Sequence, residues 1–376
     1  MEQVIKKAYS VFDALKTALQ KKLTFAIYRL PGEEDVSLVV QKDHHLQQVD
    51  NLTGIPAKGG FLIAPFDKDN GQKTYLIRPD FVVRNSLDKD TFNSIEALSP
   101  SGLNGMEHIP PAETSHDEYI NLLNDTIGAI QGGEYDKVVL SHVKIHPGEY
   151  FPELKKIFHI LCATYPNAFV YLFRIQGHCW VGATPEPLLC SRDNELYTVS
   201  LAGTRPYSAE NADIANWNKK ERMEQEYVTR YVEDVLKRHN IQQYRKSGPY
   251  TKRAGRLLHL RTDFTIPMEE VGKKIPSLIE SLHPTSAVCG MPMKKSLQFI
   301  KSKEKHHREY YAGYLGPVGI DKELRLFVNL RCMKVLEGQL ALYVGGGITA
   351  DSVAEDEWEE TEIKADTLLS ILHQIQ

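Results

Sequence analysis

The sequence predicts an α+β architecture in which large, mostly antiparallel β-sheets pack against flanking helices, and three observations lead to that expectation. Short β-rich runs bounded by Gly, Pro, Asp and Asn clusters recur along the chain. A few longer stretches carry a helical period. The two kinds come in blocks and not in the strict alternation that builds parallel sheets. The composition suits one large folded body, since 42% of the 376 residues are hydrophobic and 25% are charged.

Near the N-terminus, Val4, Ala8, Val11, Leu15 and Leu19 fall on one helical face with charges between them. An amphipathic helix is expected there and not a signal peptide, whose apolar core would be unbroken. Strands are expected over residues 24–30, 60–66 and 74–83. Residues 85–116 are polar, contain Pro100, Pro110 and Pro111, and hold no period, so they are read as the connection between a peripheral helix and sheet part, 1–110, and the main part of the same fold, 115–376. The main part should contain strands over 136–145, 168–174, 180–183, 195–201, 314–320, 326–335 and 339–344. Helices are expected over 216–240, where Val228, Tyr231, Val232, Val235 and Leu236 form an apolar stripe, from Met268 onward, and over 356–374.

Several function classes are excluded at this level. A net charge of -4 and a pI near 6.4, without a basic run interleaved with aromatics, argue against a nucleic-acid partner. No apolar run approaches the ~20 residues that span a bilayer. The five cysteines form no CxxC pair, which fits a reducing compartment and a cytoplasmic protein. The adjacent His44 and His45, and His306 and His307, point in different directions and lack a third spaced ligand, so a zinc site is not expected. Neither a nucleotide-binding glycine loop nor a GxSxG elbow occurs.

The most informative local pattern is acidic. Glu221 and Glu224 share one helical face, as do Glu357 and Glu360, with Lys364 following on the latter face. These residues read either as two solvated helix faces or, opposed across a cleft, as an oxygen-rich site for Mg²⁺. Arg331 stands in an otherwise apolar run, where a guanidinium requires an anion to offset its desolvation. That anion is an internal carboxylate or a ligand. The glycines of Val344-Gly-Gly-Gly-Ile348, among them Gly345 and Gly347, allow close approach of backbone to a ligand.

Ten ordered blocks then resemble one family: YDKVVLSHV (135–143), VGATPEPLL (181–189), SLAGTRP (200–206), KERMEQEYV (220–228), HLRTDF (259–264), LHPTSAVCG (282–290), REYYAGYLGPVG (308–319), NLRCMKV (329–335), YVGGGI (343–348) and EWEETEIKA (357–365). The chain from about Ser115 onward is similar to the chorismate-utilising enzymes, which comprise isochorismate synthases, salicylate synthases and the large subunits of anthranilate and aminodeoxychorismate synthases. The resemblance implies Mg²⁺ held by Glu224 and Glu360, with Glu221 and Glu357 holding its waters. It also implies a pocket in which Arg331, Tyr311, Gly345 and Gly347 take the enolpyruvyl carboxylate, Gly203, Thr204, His259 and Ala287 line the ring, and Lys364 lies near the metal.

Three positions separate the subfamilies by this resemblance. Lys137 stands where members that add water at C2 keep a lysine base, which must be partly neutral and hence have a depressed pKa. Ala202 stands where a covalent route would need a nucleophilic lysine, and Ala287 where members that eliminate pyruvate usually carry threonine. Glu186 matches the acid that protonates the departing C4 hydroxyl and should have a raised pKa. The implied activity is conversion of chorismate to isochorismate, with menaquinone favoured over a siderophore as the destination. No glutaminase subunit and a monomeric state are expected. Rival readings are a salicylate synthase and a silent chorismate-binding protein. His142, where relatives often have Arg, and Gln225, where they often have His, depart from the pattern.

Overall fold

The computed structural model describes residues 8–50, 52–100, 110–255 and 257–375. Val4 of the expected first helix lies outside them. The described helix, Val11–Gln20, begins at a capping box in which Ser10 and Asp13 satisfy each other's free backbone groups, and it buries Val11, Ala14, Leu15 and Ala18.

Among the described residues two antiparallel sheets dominate. The larger has eleven strands, in spatial order Tyr9–Ser10, Ser86–Leu87, Phe81–Arg84, Val36–Val40, Phe25–Arg29, Phe169–Ile175, His178–Thr184, Cys332–Leu336, Gln339–Ile348, Lys137–Pro147 and Gly290–Met291. The other has nine: Arg245–Ala254, Leu257–Pro267, Glu195–Pro206, Pro187–Arg192, Arg325–Val328, Tyr314–Val318, Gly60–Ala64, Tyr75–Ile77 and Gln47–Gln48. Strands from before residue 110 pair with strands from after it in both sheets, Val170 with Arg29 in one and Tyr314 with Ala64 in the other.

Alternation along the strands of the larger sheet serves two cores. Ala26, Tyr28, Phe169, Tyr171 and Phe173 face the smaller sheet, whereas Phe25, Ile27, Val170 and Leu172 face the helices Val11–Gln20, Leu154–Thr164 and Ala354–Leu372. Both faces are buried, so these strands read as unbroken apolar runs. Phe169 of one sheet stacks on Phe327 of the other at 4.2 Å between ring centroids. The helices Lys219–Arg238 and Ile275–Leu282 close the far side, where the expected stripe Val228, Tyr231, Val232, Val235 and Leu236 is buried.

The structure corrects two of the expected strands. Residues 74–83 divide into Tyr75–Ile77 of the smaller sheet and Phe81–Arg84 of the larger, on either side of Pro79. Residues 326–335 divide likewise into Arg325–Val328 and Cys332–Leu336, so Arg331 lies in the crossing between sheets and not within a strand. Four helices were not anticipated, His116–Gln131, Leu154–Thr164, Met293–Lys303 and, inside the stretch read as a connection, Lys89–Glu96. Leu154, Ile157, Phe158 and Leu161 do carry the helical spacing in the second of these.

Candidate active site

Twice, at one place, the chain leaves one sheet for the other, and the two crossings brace each other. Strand His178–Thr184 passes through Pro185 and Glu186 into Pro187–Arg192, and Arg325–Val328 passes through residues 329–331 into Cys332–Leu336. The Thr184 hydroxyl donates to Val328 O at 2.6 Å, Val328 N to Glu186 O at 2.9 Å, and Ala183 N to Arg331 O at 3.0 Å. Arg331 adopts φ 48, a left-handed conformation that a residue with a side chain rarely takes and that this bracing holds in place. Glu186 and Arg331 are thereby turned into one cavity of about 730 Å³.

Glu186 is only 4% exposed. Burial raises its carboxyl to about 7, against the opposing pull of Lys137, then of Arg261, Arg331 and Lys364. The group is therefore still substantially protonated at pH 7, and the upward direction is the one the sequence led one to expect. Arg331 meets no carboxylate within ion-pair distance among the described residues, and burial pulls its guanidinium below its ordinary value. Of the two readings the sequence left open for it, an internal ion pair is not formed among the described residues.

Lys137 opens strand Lys137–Pro147 and is completely buried, with Nζ 3.0 Å from Glu224 Oε1. That approach is an ion pair without hydrogen-bond alignment, and Nζ has no hydrogen-bond acceptor among the described residues. Gly347 makes the contact possible: a Cβ there would overlap Glu224 Oε1 and come within 2.7 Å of Lys137 Cε. Gly347 thus makes room for a pair of side chains, and the carbonyl of Gly345 accepts from Lys364 Nζ at 2.9 Å.

The acidic residues enter from two helices. Lys219–Arg238 starts at Asn218, whose side chain caps Glu221 N, and Glu221 Oε2 accepts in return from Asn218 N at 3.0 Å. Its other oxygen takes Arg205 Nε at 2.7 Å, so both oxygens of Glu221 are engaged. One turn on, Glu224 Oε2 accepts from Gly203 N at 3.2 Å. From helix Ala354–Leu372, Glu360 accepts from Lys364 at 2.6 Å, and Glu357 pairs with Lys220. Burial would raise Glu360, but Lys364 together with Lys220 and the Thr204 hydroxyl holds it below the usual carboxylate range. Burial and the charge of Glu360 raise Glu357, with Lys220 opposing.

Glu224 and Glu360 converge on neighbouring backbone, since Glu224 lies against Gly203 and Gly347 while Glu360 lies against Thr204 and Gly346. The donors are hard carboxylate oxygens without a thiolate or imidazole among them, a set that suits Mg²⁺ and its retained waters better than Zn²⁺. Among the described residues no group of three His, Cys, Asp or Glu side chains is gathered ready to enclose an ion. The pair fits a metal bound by one or two carboxylates.

The remaining walls include six more residues that the sequence singled out. Gly203, Thr204, His259, Ala287, Tyr311 and Lys364 all line the cavity. Burial, and next the charge of Arg331, push His259 down to about 3, so the ring is neutral. Its Nδ1 lies 2.8 Å from Gly203 O, a pure acceptor, which assigns the proton to Nδ1 and leaves Nε2 a buried acceptor without a partner among the described residues. Tyr311 stacks on Tyr343 at 5.5 Å. The departures are also placed: His142 donates or accepts at Thr361 Oγ1, 2.8 Å away, and lies against Trp358, while Gln225 donates to Ser200 and lies outside the cavity lining.

The sequence reading missed Val139, Leu330 and Tyr343 as walls, and Arg205 and Lys220 as counterions of Glu221 and Glu357. Arg205 and Lys220 were visible in the SLAGTRP and KERMEQEYV blocks, but nothing local marks which acid each one neutralises.

Comparison with known proteins gives the class to which this fold belongs. The family model described as chorismate binding enzyme matches residues 82–373, and the chain belongs to that family. It is 31% identical over 264 residues to the vibriobactin-specific isochorismate synthase of Vibrio cholerae, covering 68% of this chain and 67% of that protein. To the salicylate biosynthesis isochorismate synthase of Pseudomonas aeruginosa it is 28% identical over 260 residues, covering 67% of this chain but only 54% of that protein. The chain thus spans little more than half of the latter relative. Among solved structures, a Bacillus anthracis protein described as a 2,3-dihydroxybenzoate-specific isochorismate synthase superposes with a TM-score of 0.77 at 21% identity, over 96% of this chain and 99% of that one. At that identity the likeness establishes the fold. No described helix is long and apolar enough to cross a membrane.

Proposed function

We propose that this chain is an isochorismate synthase, an isomerase that adds water at C2 of chorismate and releases the C4 hydroxyl. One observation carries the reading: a completely buried lysine stands directly behind the wall of the cavity that the buried Glu186 lines, since Lys137 lies against Glu224 and Gly347 of that wall, and its charge is the strongest single one acting on Glu186. Such a pair can take a proton on one side of a ring and give one on the other.

Lys137 takes the proton of the attacking water as the C2–O bond forms. The ring double bonds shift, the C4–O bond breaks, and Glu186 gives its proton to the leaving oxygen, so that one water enters and one departs. Arg331, with no carboxylate within ion-pair distance among the described residues, and Tyr311 bind the enolpyruvyl carboxylate. The bare Nε2 of the neutral His259 accepts from a ring hydroxyl. Ala202 offers no nucleophile for a covalent adduct, and Ala287 places a methyl where a hydroxyl would otherwise face the ring, which supports release of isochorismate before pyruvate is lost. Water is the nucleophile, so no ammonia-supplying subunit is required.

Glu224 and Glu360 would hold Mg²⁺, which when bound supplies Lewis acidity and a fixed anchor for the ring carboxylate. The test is product analysis by chromatography after incubation with chorismate and Mg²⁺, with and without EDTA, beside Lys137→Ala. Isochorismate that disappears on chelation and in the variant is expected. Salicylate and pyruvate as main products, or no turnover by folded protein, would refute the reading.

A further inference from the structure

A second cavity, of about 1200 Å³, meets the first across a shared wall of Pro185, Leu201, His259 and Arg331. Its charged lining is of one sign. Among the described residues Lys252, Arg253, Arg261 and Arg331 face it and no carboxylate does, although Arg261 is paired with Asp263 at 2.6 Å outside the lining. The edge strand Arg245–Ala254 shows how selective this is. At its far end Arg245 pairs with Glu195 at 2.7 Å and Lys246 with Glu233 at 2.6 Å, whereas at the cavity end neither Lys252 nor Arg253 has a carboxylate within ion-pair distance among the described residues. Arg253 instead lies 3.7 Å over the Tyr207 ring, an arrangement that keeps its full charge.

The opposite wall is also relieved of negative potential. It is built from the turn after helix Leu154–Thr164, whose backbone carbonyls would ordinarily repel an anion. The buried Arg29 takes them up, donating to Tyr165 O at 2.6 Å and Ala168 O at 3.0 Å and also to Pro166 O. On the shared wall, His259 is 6% exposed and its Nε2 is unpartnered.

We infer that this second cavity is the entrance to the site, a cationic vestibule in which Lys252 and Arg253 draw a small dicarboxylate from solvent and pass it to Arg331. The inference rests on the proposed chorismate reading for the identity of the dicarboxylate, but not for its charge. A cleft lined by one sign of charge concentrates oppositely charged ligand, and the effect fades as salt screens it.

The experiment compares wild type, the pair Lys252→Gln with Arg253→Gln, and a control with the same charge change at the paired end, Arg245→Gln with Lys246→Gln. Two readouts are taken at low and at high ionic strength: kcat and kcat/KM on chorismate, and calorimetric titration with benzene-1,3-dicarboxylate, a dianion that cannot react. The vestibule pair should lower kcat/KM and dicarboxylate affinity on the order of fivefold at low salt. It should leave kcat unchanged and converge with wild type at high salt, and the control pair should behave as wild type. Equal salt dependence in all three proteins, or no dicarboxylate binding by wild type, overturns the vestibule. Dicarboxylate binding that weakens only in the vestibule pair, without chorismate turnover by wild type, upholds it and sinks the isochorismate reading.

Discussion

Replacing Glu186 with Gln should stabilise the folded protein at alkaline pH while removing its activity, and the size of the gain follows from the site. In the unfolded chain this carboxyl titrates near 4.5, whereas burial between the two sheet crossings lifts it to about 7 in the folded protein. Between those values the folded state holds a proton that the unfolded state has lost, so stability falls as pH rises, by about 1.4 kcal/mol per pH unit for one such group. The contribution is fully present below 4.5 and is lost once pH passes about 7, a total on the order of 3 kcal/mol. Glutamine keeps the shape and does not ionise. Urea denaturation of metal-free wild type and Glu186→Gln at pH 5, 6.5 and 8 should therefore show the variant gaining on wild type by about 2–3 kcal/mol across the series. Parallel pH dependence of the two proteins would mean that Glu186 is ionised in the fold and would remove the physical basis for its role as an acid. Turnover of chorismate by wild type should fall as pH rises above about 7, where Glu186 loses its proton, and the variant should be slower by about 10²–10⁴.

Lys137→Met is expected to lose about 10²–10⁴ of turnover while still binding chorismate in a calorimetric titration; activity within tenfold of wild type would show that another group is the base. Gly347→Ala adds a methyl that overlaps Glu224 Oε1 and crowds Lys137 Cε, and a displacement of about 1 Å at such a site costs on the order of 10²-fold in rate. An unchanged rate with an unchanged circular dichroism spectrum would show that Gly347 does not set the position of the pair. Outside the lining of the cavity that holds Glu186, Lys334 is 1% exposed and holds Glu309 at 2.6 Å and 2.9 Å. Lys334→Met leaves that acid buried with His178, 3.4 Å away, as its remaining charge partner among the described residues, so urea denaturation should show a loss of about 3 kcal/mol.

Much of this protein is determined within short stretches of its sequence. The apolar runs of the strands, the stripe along Lys219–Arg238 and the spacing of Glu357, Glu360 and Lys364 are set by periods of two and 3.6 residues, which are local properties of the backbone. The block YDKVVLSHV marked Lys137, and ATPEP marked Glu186, before any contact was known. Where the chain changes sheet was not legible. Residues 326–335 carry one continuous apolar pattern, and only the pairing of Val328 with Tyr314 and of Cys332 with Gly182 and Tyr343 reveals a break with Arg331 inside it. The same holds for Glu186, since a glutamate between two prolines suits a surface turn equally well. Its burial, its raised pKa and the assignment of Lys137 to Glu224 and Lys220 to Glu357 depend on segments distant in sequence. Desolvation and Coulomb attraction act through space, so the tertiary structure alone decides them.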